Sequence, residues 1–213
     1  MTKIKKDLPG LDLTVTMLAF PTSMQGSDTH KIHKMFLSEI NNENDIVISP
    51  EFSYNPWDKK LDNKDTQNYL DEIIDKSKGN DCLCVPGTFL IDKNLDKNYG
   101  YAISNGRILF EHRKSQQPSY SFKYQGLNMG LEICGEKGIL ARSGIRELDL
   151  LLMTSCGIKN ADTGSLKPGG AYACVDGWHG SYKIGQKENI RYQKPIVEPG
   201  LFQKIKSFLR YAA

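Results

Sequence analysis

Apolar positions in this chain gather into short runs divided by polar, glycine-rich and proline-rich stretches, and their spacing differs from segment to segment. Leu13 to Phe20 has the length and apolar content of a buried strand. A Pro/Ser/Gly stretch follows, and helical spacing then runs from about Asp28 to Ile40. Asp45 to Ser49 predicts a second strand. Beyond a polar loop holding Trp57, the placement of Leu70, Ile73 and Ile74 predicts a helix from about Lys64 to Lys78. Cys82 to Leu90 predicts a third strand. Tyr99 to Phe110 predicts two strands around Asn105-Gly106, because an Asn-Gly pair between apolar arms supplies the two positive φ angles that a tight hairpin needs.

The second half repeats the theme. Gly126 to Cys134 predicts a strand, a helix begins at about Ala141, and Leu148 to Ser155 is the most apolar run and predicts a fully buried strand. Gly169 to Gly177 and Ser181 to Gly185 predict an antiparallel pair, and Leu201 to Tyr211 a closing helix. Without a linker or repeat in view, residues 1–213 read as a single domain. Early strand–helix alternation followed by hairpins predicts the α/β class, with mixed sheets covered by helices.

Composition narrows this picture modestly. A chain of 213 residues, 39% apolar and 25% charged, can bury a full core. The net charge is +3, and the lysines alternate with acids, so no basic stripe predicts a nucleic-acid partner. Met1 to Asp7 is basic but lacks the apolar stretch of a secretory signal, and no apolar run has the length of a membrane span. The expectation is a cytoplasmic protein with no membrane partner. Cysteines at 82, 84, 134, 156 and 174 form no disulfide framework, which predicts free thiols in a reducing compartment. Their spacing offers no zinc site, so neither metal nor cofactor is expected.

Three separated pieces carry the candidate chemistry. Ile46 to Glu51, Ile108 to Lys114 and Met129 to Glu136 each end an apolar run near a reactive side chain: Glu51, Lys114 and Cys134. Residues at the strand ends of an α/β sheet converge on one crevice although they are far apart in sequence. A second arrangement uses Cys134 with His179 and Asp176 as a cysteine–histidine dyad with an orienting acid. His30 and His33 fall on the first predicted helix and read as surface residues. Cys82, Cys84 and Cys174 read as core packing, while Cys156 follows the buried strand.

In this order and setting the three pieces resemble the carbon–nitrogen hydrolases of the nitrilase superfamily, whose catalytic set is glutamate, lysine and cysteine. The resemblance runs from Leu13 to about Ile184 and implies a four-layer α-β-β-α sandwich. It implies Glu51 as general base, Lys114 as oxyanion stabiliser and Cys134 as nucleophile. Glu111-His112-Arg113-Lys114 is similar to the family's Tyr-Arg-Lys piece, with Arg113 structural. Gly135 stands where the family usually carries an aromatic residue, and its N–H becomes a second oxyanion donor. Glu132, between Lys114 and Cys134, takes the role of a substrate-positioning carboxylate, and Glu136 that of a structural acid. Tyr54, Trp57, Tyr120, Ser155, Cys156 and His179 are candidate pocket residues, and Trp178 joins them as an aromatic neighbour.

The implied reaction is hydrolysis of a small amide through a cysteine thioester; a nitrile or carbamoyl compound ranks below the amide. An amine in place of water makes the chain an N-acyltransferase. The dyad reading makes it a Cys-His peptidase, and a non-catalytic nitrilase-like binding module is the remaining alternative. Expected partners are the small-molecule substrate, water and a second copy in a homodimer or larger homo-oligomer. Two departures stand out: the chain is short beyond Cys134, and residues 158–170 lack the family's Arg-Ala-x-Glu-Asn piece.

Overall fold

The computed structural model describes residues 2–20, 29–51, 53–54, 63–90, 98–114, 121–157, 160–178 and 180–188. In chain order the elements are β1 (Thr2–Asp7), β2 (Thr14–Ala19), α1 (Thr29–Glu39), β3 (Ile46–Ile48), α2 (Asn63–Ser77), β4 (Leu83–Val85) and β5 (Thr88–Leu90). They continue with β6 (Asn98–Ser104), β7 (Arg107–Arg113), β8 (Phe122–Tyr124), β9 (Leu127–Ile133), α3 (Ile139–Arg142), β10 (Leu148–Ser155), β11 (Leu166–Asp176) and β12 (Ser181–Gln186). A one-turn 3-10 helix, Cys134–Glu136, follows β9 directly.

Two mixed sheets result. In the first, β2, β3 and β4 are parallel, β1 pairs antiparallel with β2, and β6 pairs antiparallel with β4, β5 and β7. In the second, β9, β10 and β11 are parallel, flanked by antiparallel β8 and β12. Strand alternation decides which side chains lie between the sheets. Met17, Ile48, Val85, Leu131, Leu152 and Val175 share one apolar core with residues of both sheets. The opposite face of the first sheet, including Leu18, Val47 and Cys84, packs on Ile32, Phe36, Leu70 and Ile73 of α1 and α2. On the far face of the second sheet, Leu148 and Leu151 meet Leu140 of α3. Helices thus flank two facing mixed sheets: the α/β class follows the sequence pattern, and the layering is the sandwich that the resemblance implies. None of the helices among the described residues is long and apolar enough to cross a membrane.

Several elements differ from the sequence reading for identifiable reasons. β1 went unread because Lys3, Lys5 and Lys6 mask its pattern; it is an edge strand, where lysines discourage pairing with another chain. The single strand expected over 82–90 is broken at Pro86-Gly87 into β4 and β5. A second hairpin joins β8 to β9 through Gln125 and Gly126, both at positive φ, a turn for which Gln gives little sequence signal. His33 is buried rather than on the surface: its Nε2 lies 2.8 Å from Glu72 Oε2 and its Nδ1 3.4 Å from the Tyr54 hydroxyl. Burial pushes its pKa down despite the Glu72 carboxylate beside it. The predicted helix over 201–211 lies outside the described residues.

Candidate active site

Glu51 follows β3 in a turn that the neighbouring strand pair holds. Ser49 N–H donates to the Val85 carbonyl at 3.0 Å, and the Ser53 hydroxyl donates to the Pro50 carbonyl at 2.6 Å. Gly87 (φ +83°) lies against that same carbonyl, where a Cβ would collide with it. The chain therefore needs glycine at 87 for its conformation and for space. This packing leaves the Glu51 side chain fully buried.

Lys114 comes just past β7, its N–H donating to the Asn98 carbonyl at 2.9 Å. Its Nζ reaches Glu51 Oε1 at 2.5 Å, and Asn98 Nδ2 donates to the same oxygen at 2.9 Å. Arg113 turns away from them, with its guanidinium over the Tyr99 ring at 5.9 Å. Burial pushes the Glu51 carboxyl up, while the Lys114 cation and the hydrogen bonds from Lys114 and Cys134 pull it down; burial prevails.

Cys134 arrives from the other sheet. Directly after β9 it opens the 3-10 turn, following extended Ile133, with φ +39°, a left-handed conformation uncommon outside glycine. Such backbone strain costs of order 1–3 kcal/mol and persists where surrounding contacts impose it. The half-buried thiol donates to the Cys156 carbonyl at 3.2 Å, and its sulfur accepts from Cys156 N–H at 3.5 Å and the Ser155 hydroxyl at 3.9 Å. It also shares a hydrogen bond with Glu51. Burial first, and then the Glu51 carboxylate, raise the Cys134 pKa, opposed by Cys156 N–H and the Lys114 cation. The raised pKa favours the thiol form, with the Glu51 carboxyl beside it.

The structure thus brings together Glu51, Lys114 and Cys134, with Ser155 and Cys156 beside the sulfur. Gly135 sits next to the thiol, and a Cβ there would meet nothing within 4 Å, so no steric need for glycine arises. Trp57, Tyr120 and His179 lie outside the described residues. Asp176, the proposed orienting acid of the dyad, has Oδ1 accepting from Gly157 and Trp178 N–H and Oδ2 from the Ser181 hydroxyl. It braces the loop beyond Cys156. Among the described residues no group of three His, Cys, Asp or Glu side chains could hold a metal ion.

Two expectations need correction. Glu132 is not directed at substrate space: its oxygens accept the N–H groups of Gly138 at 2.9 Å and Leu140 at 3.2 Å, at the start of α3. Strand alternation places it on the outer face of β9, beside Gly130, which packs on Leu140 and Leu148. The regular strand ends before Cys134, so the two side chains diverge. Tyr54 does not line a pocket; fully buried, it stacks on Phe89 at 4.5 Å in the helix-facing core. Sequence reasoning also missed Asn98 and His112. The signal for His112 was its nearness in sequence to Lys114, as an imidazole within the strand that leads to it.

Comparison with solved structures agrees with this architecture. The fold is similar to that of a mutant of the Nesterenkonia AN1 amidase from the nitrilase superfamily, with TM-score 0.59 and 12% identity over 82% of this chain and 86% of that one. A second mutant of the amidase from Nesterenkonia sp. AN1 carries the acetamide moiety of fluoroacetamide covalently added at its active site cysteine. It matches with TM-score 0.58 and 12% identity over 86% of this chain and 90% of that one. Glutamine-dependent NAD+ synthetase from Acinetobacter baumannii matches with TM-score 0.55 and 14% identity over 82% of this chain and 43% of the synthetase. No family model and no curated protein matches the sequence.

Proposed function

From the nitrilase-superfamily fold as premise, we propose that the chain hydrolyses a non-peptide carbon–nitrogen bond, that of a small amide, through a thioester on Cys134. The observation that carries this reading is the meeting of the Cys134 thiol with a buried Glu51 carboxylate that Lys114 holds at 2.5 Å.

The geometry supports the following roles. Glu51 accepts the thiol proton as the sulfur attacks the carbonyl carbon, so the thiolate exists only during attack. The raised pKa of Glu51 suits a base that must later return a proton. Lys114 supplies a fixed positive charge to the oxyanion, with the Gly135 N–H as candidate second donor. Collapse of the tetrahedral adduct breaks the C–N bond, and the nitrogen leaves with the proton from Glu51 as ammonia or amine. Water then adds to the thioester, giving its proton to Glu51; collapse returns that proton to sulfur and releases the acid. An amine acting in place of water would give acyl transfer at the same site.

The test is alkylation by iodoacetamide with peptide mapping, on wild type, Cys134→Ala and Glu51→Gln, alongside ammonia release from a panel of small amides. Cys134 is expected to label fastest of the five cysteines, with the rate falling about 10²-fold in Glu51→Gln. Ammonia release should vanish in Cys134→Ala. Equal labelling of Cys134 in wild type and Glu51→Gln, with no amide consumed, would overturn the proposal.

A further inference from the structure

The candidate triad is divided between the two sheets. Glu51, Asn98 and Lys114 belong to the first and Cys134, Ser155 and Cys156 to the second. Attack distance therefore depends on how the sheets are held together at this end of the sandwich. A buried polar contact lies beside that junction. His112 Nε2, on β7 two residues before Lys114, is 2.7 Å from Glu136 Oε2, in the turn two residues after Cys134. Neither side chain is more than 6% exposed. Phe110, on the same face of β7, stacks near His112 at 6.4 Å and on Phe122 of β8 at 5.0 Å, giving this tie apolar walls from both sheets.

We propose that His112 and Glu136 are positioning residues, whose buried hydrogen bond fastens the strained 134–136 turn to the strand ending at Lys114 and so sets where the Cys134 sulfur stands relative to Glu51 and Lys114. This inference rests on the reading of Cys134 as nucleophile. The backbone of the turn calls for such a fastening. Cys134 is held at φ +39°, which relaxes unless the residues after it are anchored. Its anchors are Glu132, which receives the amides at the start of α3, and Glu136, which is held by His112. Glu132 ties the turn within its own sheet, whereas Glu136 ties it across to the other. The Glu136 carboxylate also acts on Glu51 through space, alongside Lys114 and Cys134, and raises its pKa. Glu51 and Glu132 also sense the Glu136 charge.

The experiment measures the alkylation rate of Cys134 by iodoacetamide across pH in the full chain. Glu136→Gln keeps an acceptor for His112 and removes a carboxylate. It should hold the neutral-pH rate within about threefold of wild type while moving the acid limb to lower pH. The double variant His112→Phe/Glu136→Leu replaces the pair by apolar groups, a change cores often tolerate in stability. Its Cys134 labelling should slow about tenfold or more, with a cooperative melt retained. A double variant that labels at the wild-type rate, or Glu136→Gln with an unmoved acid limb, overturns the inference. If the double variant does not fold, the single variant His112→Phe, which removes this hydrogen bond, decides by the same labelling rate. Glu51→Gln is the control: should it label like wild type, the proposed function fails, whereas slow labelling there with normal labelling in the pair variants defeats the positioning role alone.

Discussion

Glu51 is the residue at which burial and charge compete most directly, and the sign of each contribution can be tested. Burial raises its pKa and the Lys114 cation lowers it. Lys114→Met removes the lowering influence, so the acid limb of Cys134 alkylation should move to higher pH, the direction opposite to Glu136→Gln. On the proposed mechanism, amide turnover should fall about 10²- to 10³-fold, since the oxyanion would lose its cation. Stability carries the same information. A carboxyl whose pKa rises on folding binds more protons in the native than in the unfolded state, between its ordinary and its raised value. Wild-type stability therefore falls as pH climbs through that window. Glu51→Gln cannot ionise yet keeps an oxygen for Asn98 and Lys114. Its melting temperature relative to wild type should accordingly rise with pH from about the ordinary glutamate value of 4.5 upward, then level off. Paired thermal melts across pH measure this; a difference that stays flat or falls would contradict the desolvation argument.

Among the elements, the short connections after strands matter more than the strands themselves. Gly87→Ala forces a Cβ against the Pro50 carbonyl at φ +83°, and it should destabilise the protein by about 2–3 kcal/mol while slowing Cys134 labelling through Glu51. Glu132→Ala strips two buried amides of their acceptor, at a cost of about 2–4 kcal/mol in a denaturant titration. Much of this layer was legible in sequence. The apolar runs ending near Glu51, Lys114 and Cys134 became β3, β7 and β9, and Asn105-Gly106 became the predicted turn. What escaped were features that depend on partners distant in sequence. Glu132 and Cys134 stand two apart, but period-two alternation continues only while the strand does, and here the strand stops at Ile133, so the two do not share a face. Asn98 lies 47 residues from Glu51 in sequence, so nothing local marks it as a ligand of that carboxylate. Tyr54, close to Glu51 in sequence, was drawn away by the stacking surface of Phe89.

For the molecule as a whole, the site is a junction, and this separates two kinds of core damage that cost similar stability. Leu131 lies in the core between the sheets, and Ile73 lies in the core between the first sheet and its helices; both are fully buried. Leu131→Ala and Ile73→Ala should each cost about 2–5 kcal/mol, since both leave a cavity that close-packed neighbours fill only in part. Their effects on chemistry should nevertheless differ. Relaxation around Leu131 moves β9 relative to the first sheet, and β9 delivers Cys134 to partners held on that sheet. Relaxation around Ile73 shifts α2 on the outer face, leaving the spacing between the sheets unchanged. Iodoacetamide labelling of Cys134, measured well below each variant's melting temperature, should thus slow several-fold in Leu131→Ala and hold near the wild-type rate in Ile73→Ala. Equal slowing in both variants would mean that labelling follows global stability, and that the two sheets do not need to be held in register for the thiol to meet its base.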